Sequence, residues 1–310
     1  KVVDDEMKML AEKSCYEHPV HSMIIEVNDP IWEGYFTTTE LNEIKSFRLK
    51  DLPNIPEEVE EYLNKYNKNW KSGKELYEYA DDQKHDPITQ FNFKWIRESI
   101  MRASELFFYK DTLNLNGLSE SDLLHEVWPF IYRIFRDREI KACLGERSSA
   151  AVALGRNEDR CLEAVERRSR KAIGAKVDIL FKICKEELGS CEVGKDNITI
   201  VDDKYFDDGL VKLPKTLRNM LSLLTQKNPA QVNNLSTAGF LLRGLLWNFT
   251  LSTFAVDFLP LLEAAWKGKE VMKNNVETLN NRKRKVAELN AITKDISASL
   301  PYSFVRNSCN

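Results

Sequence analysis

The chain has 310 residues and a mass of 35.9 kDa, enough for one or two domains and a core that needs no disulfides. Its 45 basic and 48 acidic side chains leave a net charge of −3, which excludes a globally basic nucleic-acid binder but not a local basic face. Hydrophobic residues at 43% and charged residues at 30% exclude general disorder, and no stretch approaches the roughly 20 uncharged apolar residues of a membrane-spanning helix.

The chain opens on Lys1, Val2, Val3, Asp4 and Asp5, with neither Met nor a secretory leader, and reads as a processed or truncated product. Residues 1–85 are polar and read as an accessory segment. Within it, His21–Val27 reads as a short strand, Asp29-Pro30 as a turn and Glu57–Tyr66 as a helix with carboxylates in its first turn. Lys68–Lys84 carries little apolar content and reads as a loop or a solvated helix.

Residues 86–260 carry the stronger signals. Phe91, Trp95, Ile96, Ile100, Ala103 and Phe107 recur at helical spacing over Pro87–Tyr109. Ser119–Phe135 reads as a capped helix, kinked at Pro129. Ile140–Leu144 reads as a strand ending before Glu146, and Arg147–Lys171 as helix-compatible. Lys176–Ile183 is the clearest strand: Val177, Ile179, Phe181 and Ile183 face one way, and Lys176, Asp178, Leu180 and Lys182 the other. Glu187–Val193 is close enough to pair with it as an antiparallel hairpin, which puts Asp178 and Glu192 on one face. Lys212–Gln226 reads as a helix, and Phe240–Trp247 with Leu251–Phe258 as another hairpin. Arg243 and Asp257 interrupt this apolar region. Residues 261–310 follow a helical stripe from Leu262 onward, broken by the basic run Arg282, Lys283, Arg284 and Lys285.

The six cysteines are irregularly spaced, form no CxxC pair and read as reduced structural thiols. The four histidines do not cluster with them, so zinc is not expected. Asn197, Asn234 and Asn248 head N-x-S/T sequons, two of them in or beside expected strands where a glycan fits poorly. An intracellular location, cytoplasmic or nuclear, is the expectation.

Asp178 and Glu192 lie on neighbouring strands, with Lys195 shortly after. Two such carboxylates can hold Mg²⁺ with positions open for water and phosphate, and a nearby lysine can stabilise charge on the phosphate. Glu146 and Glu120 are further candidate metal ligands. The runs Arg167, Arg168, Arg170, Lys171 and Arg282–Lys285 are candidates for contact with a nucleic-acid backbone.

The order of elements over Ser119–Phe258, with Asp178, Glu192 and Lys195, resembles the core of the PD-(D/E)XK nuclease superfamily, whose fold is restriction-endonuclease-like. Residue 177 is Val where that pattern has Pro, and Gly194 stands in the slot of the motif lysine, which puts Lys195 one place late. In a regular strand Lys195 points to the wrong face; a bulge at Gly194 would restore it. Ser119–Asp122 with Trp128-Pro129-Phe130, Gly145-Glu146, Lys176–Asp178, Glu192 and Gly239–Asp257 together resemble lineage-expanded proteins of early-diverging filamentous fungi. That resemblance implies a nuclease-like core and no established activity.

The expected fold is therefore α+β and helix-rich, a small mixed sheet flanked by helices. Three functions stay open. One is a non-catalytic nuclease-like protein that binds nucleic acid or a protein partner, and another is an active Mg²⁺-dependent nuclease. The third is an assembly subunit using the C-terminal helix as its protein interface. No membrane association is expected. In a catalytically dead site Lys195, or another cation such as Lys176 or Arg170, should sit between the carboxylates and take the metal's place.

Overall fold

The alternation of Lys176–Ile183 places a strand at the centre of a four-stranded mixed sheet. The computed structural model describes residues 1–47, 50–108, 117–137, 139–158, 170–194, 209, 211–243 and 250–289. The strands β1 (Lys141–Ser148), β2 (Lys176–Ile183), β3 (Glu186–Gly194) and β4 (Ala238–Arg243) lie side by side in chain order. The pairs β1–β2 and β2–β3 are antiparallel, and β4 runs parallel to β3. Cys184, at φ 50°, turns the short link between β2 and β3.

Ahead of the sheet come α1 (Val3–Lys13), α2 (Thr38–Ser46), α3 (Glu57–Asn64), α4 (Gly73–Asp81), α5 (Phe91–Phe108), α6 (Glu120–Glu126) and α7 (Pro129–Arg133). α8 (Ala150–Arg156) lies between β1 and β2, α9 (Leu213–Lys227) carries the crossover from β3 to β4, and α10 (Phe254–Leu289) follows β4. A parallel pair needs such a crossover, because a hairpin can only reverse the chain. The result is an α+β, helix-rich protein.

The two faces of the sheet bury different partners. Ile179, Phe181, Cys191, Val193 and Leu242 join the main core with α3, α5, α6, α7 and α10. On the other face Leu180 packs with Met220 of α9 and Ala151 of α8. This second cover explains why Leu180, on the more polar side of β2, is buried. Val59, Leu76 and Ala80 bring α3 and α4 into the main core, while Met7, Leu10, Val20, Trp32 and Phe36 form a separate N-terminal cluster. As far as residue 276 the apolar stripe of α10 is occupied within the chain: Leu262, Ala265, Trp266, Met272 and Val276 are all buried.

Several expectations are corrected. His21–Val27 is not a strand: a 3-10 turn at Pro19–Ser22, capped by the His18 side chain, ends with Met23 in the left-handed region. Lys68–Lys84 contains a helix, and that helix is not merely solvated, since Leu76 and Ala80 are buried. The expected helix over Ser119–Phe135 is two helices, parted at Val127–Trp128 ahead of Pro129. β1 continues to Ser148, so Arg147 and Ser148 are strand and Glu146 lies inside the strand. Helix follows only from Ala150 to Arg156 among the described residues before position 159. Leu251–Phe258 is no hairpin arm. Thr250–Thr253 is a hydrogen-bonded turn that opens α10, and Phe254 and Phe258 stack 5.1 Å apart one helical turn on. Their spacing fits a helix as well as a strand.

A buried hydrogen-bond chain ties α3 to the loop after α4. His85 Nε2 lies 2.8 Å from the Tyr62 hydroxyl, which lies 2.9 Å from that of Tyr66. Burial pushes both tyrosine hydroxyls up, and burial together with Arg97 holds the His85 imidazole below its ordinary value. A depressed histidine is neutral in the fold and takes a proton more readily when unfolded. Its contribution is complete above about pH 6.5 and is lost as pH falls through the folded value. We expect melting temperature to decline below pH 6.5, and His85→Gln to flatten that decline in a pH series of thermal scans.

Candidate carboxylate site

The register of β2 and β3 pairs Ile179 with Cys191 and Leu180 with Ser190, and continuing it one step, where the Val193 amide donates to Asp178, sets Asp178 against Glu192. Directly opposed residues of an antiparallel pair share a face. On the other side of β2, Leu144 pairs with Ile179 and Arg147 with Val177, so Gly145 and Glu146 together face Asp178. This is a β-bulge, with Gly145 at φ 86° and Glu146 at φ 39°. Glu146, Asp178 and Glu192 thus form a row across three strands.

Each carboxylate of the row accepts a hydrogen bond from the protein. Lys176 Nζ donates to Glu146 Oε2 at 2.7 Å, the Val193 amide to Asp178 Oδ2 at 2.7 Å, and Lys212 Nζ to Glu192 Oε2 at 2.7 Å. Glu146 is exposed; the Lys176 hydrogen bond and charge, with Lys212 beyond, hold its carboxyl below the ordinary value. Glu192 is buried at 3% exposure, while the Lys212 side chain keeps 35%. Lys212 comes from the start of α9, on the face opposite the main core. Beneath the row, burial first and the charges of Asp178 and Glu192 next push the Cys191 thiol up, so it stays protonated.

This donor set does not fit a divalent cation. Among the described residues no three His, Cys, Asp or Glu side chains converge as ligands, and Lys212 holds an oxygen that a metal would need.

The other candidate residues are dispersed. Glu120 occupies the first turn of α6, a helix that packs against β3 and is capped by Ser119 and Asp122. Arg170 and Lys171 are exposed in the segment leading into β2, which α8 holds through Asn157 to Ala172 and Arg156 to Ile173. Arg282, Lys283, Arg284 and Lys285 lie in the last turns of α10. Lys195, Arg167 and Arg168 fall outside the described residues, as does the part of Phe240–Trp247 beyond Arg243.

Sequence reasoning did not find Lys212. A lysine just before Leu213-Pro214 reads as an ordinary helix start, and its partner is 20 positions away. Glu187 was also read only as the start of a strand. It is 5% exposed and accepts from Ser149 Oγ, Ala150 N and Ala151 N at 2.6, 2.7 and 3.2 Å, which caps α8.

No family model matches the chain, and neither a curated protein nor a solved structure does. Among the described residues no helix is long and apolar enough to cross a membrane.

Proposed function

We propose that this chain is a nuclease-like protein without catalysis that binds a nucleic-acid backbone. The observation that carries the reading is Lys212 Nζ held 2.7 Å from Oε2 of the buried Glu192, where a metal-dependent site would keep that oxygen for its ion. The order helix, three antiparallel strands, crossover helix and parallel fourth strand supports the likeness to a restriction-endonuclease-like core. Arg170 and Lys171, exposed within six residues of Lys176, offer positive charge near the row.

Short duplex and single-stranded probes titrated at two salt concentrations test the binding. Affinity should fall steeply with salt as counterions are released, and neither Mg²⁺ nor Mn²⁺ should bring cleavage. No binding, or salt-independent binding, would move the reading to a protein partner. The opposition of Asp178 and Glu192 favours a second reading, an active Mg²⁺-dependent nuclease. Metal-dependent cleavage by the wild type, lost in Asp178→Ala, would establish it.

A further inference from the structure

Arg243 pairs in register with Gly194 and is only 3% exposed, although it carries a charge. Alternation puts Gly239, Leu241 and Arg243 on one face of β4, and Gly239 meets Leu213 and Leu217 of α9. Arg243 therefore belongs to the face of Glu192 and Lys212. Its side chain lies over Gly194: a Cβ added there would stand 2.8 Å from Nη1, 3.1 Å from Cδ and 3.2 Å from Cζ. Glu192 pairs with Leu241, two residues before Arg243, so the guanidinium and the Glu192 carboxylate leave the sheet at neighbouring positions.

We propose that Arg243 is the positioning residue that closes the carboxylate row to divalent cations, and that Gly194 is left bare to seat it. This rests on reading the row as a nuclease-type site. Among the described residues on this face, Asp178 and Glu192 bring two negative charges, and Lys212 and Arg243 bring two positive ones. With the charges of the described residues so balanced, a divalent ion would add two more, and an unmatched charge in a desolvated place is costly. Lys212, partly exposed, can swing into water. Arg243 is buried, and a guanidinium cannot shed its proton. Arg243 is therefore the permanent cation of the pair, and without it the row is left net negative.

Thermal unfolding of the full chain, with MgCl₂ or MnCl₂ against NaCl of equal ionic strength, tests this. Wild type and Arg243→Lys should not respond to the metal. Arg243→Met should melt lower without metal and gain roughly 2 °C from Mg²⁺ at ten times its dissociation constant. Adding Asp178→Ala should abolish the gain. Arg243→Gln, whose amide can still hydrogen-bond, takes its place if the methionine variant does not fold. The pair Gly194→Lys with Arg243→Ala returns the charge from β3 and should be as indifferent as wild type; a gain in it overturns the proposal. Indifference of the neutral Arg243 variants overturns the role of Arg243 alone. A wild type already stabilised by Mg²⁺ overturns both the role and the reading beneath it.

Discussion

Replacing Glu187 by alanine is expected to cost about 3–5 kcal/mol, one of the two largest losses from a single change in this chain. The carboxylate is buried on β3, and both its oxygens are used. Oε2 accepts from the Ser149 hydroxyl and the Ala151 amide, and Oε1 from the Ala150 amide. Ser149 is fully buried and in turn caps Val152. The first amides of a helix have no partner inside it, and a carboxylate there also meets the positive end of the helix dipole. Alanine would leave these donors in a place water does not reach, at about 1–3 kcal/mol for each group left unsatisfied. Glu187→Gln keeps one acceptor and should lose about half as much. Chemical denaturation of the three proteins measures the differences. Equal stability of the alanine variant would mean that α8 is held by its packing on Met220 and not by its cap.

These same contacts explain what could be read from the sequence and what could not. β2 was legible to its ends because period-two alternation is a local property, and Lys176–Ile183 carries it with one break, at Leu180. The hairpin to β3 followed from the short link, and with it the opposition of Asp178 and Glu192. The ends of β1 were not legible, because the bulge at Gly145-Glu146 breaks the alternation that would have carried the strand on to Ser148. The start of α10 was misread because Phe254, Phe258 and their neighbours satisfy both periods, and the turn at Thr250–Thr253 decides between them. The long-range partners lie further away: Glu187 accepts from the start of a helix 38 positions off, and Lys212 reaches Glu192 from the start of α9, 20 positions on. Arg243 left a trace as a charge within an apolar run. Its meaning came only from the parallel pairing that sets it over Gly194.

That pairing can itself be broken, and Gly189→Ala should break it. Gly189 lies in β3 opposite Ala238, the first residue of β4. A Cβ at position 189 would stand 2.2 Å from the Ala238 carbonyl oxygen and 2.5 Å from Cε of the buried Met272. The methionine can turn aside, since its side chain is unbranched and adaptable. The carbonyl belongs to the backbone of β4 and moves only if the strand moves. The expected cost is about 3 kcal/mol or more, read as a melting temperature lower by roughly 5 °C. Gly34→Ala is the control: nothing lies within 4 Å of its added Cβ, so it should stay within about 0.5 kcal/mol of wild type. The effect should also reach the carboxylate row, because Arg243 sits at the other end of the displaced strand and depends on its register over Gly194. The Gly189→Ala protein should therefore begin to gain melting temperature from Mg²⁺, as Arg243→Met does. A variant that melts with the wild type would show that β4 can shift away from β3 without cost, and that nothing fixes Arg243 beside Glu192.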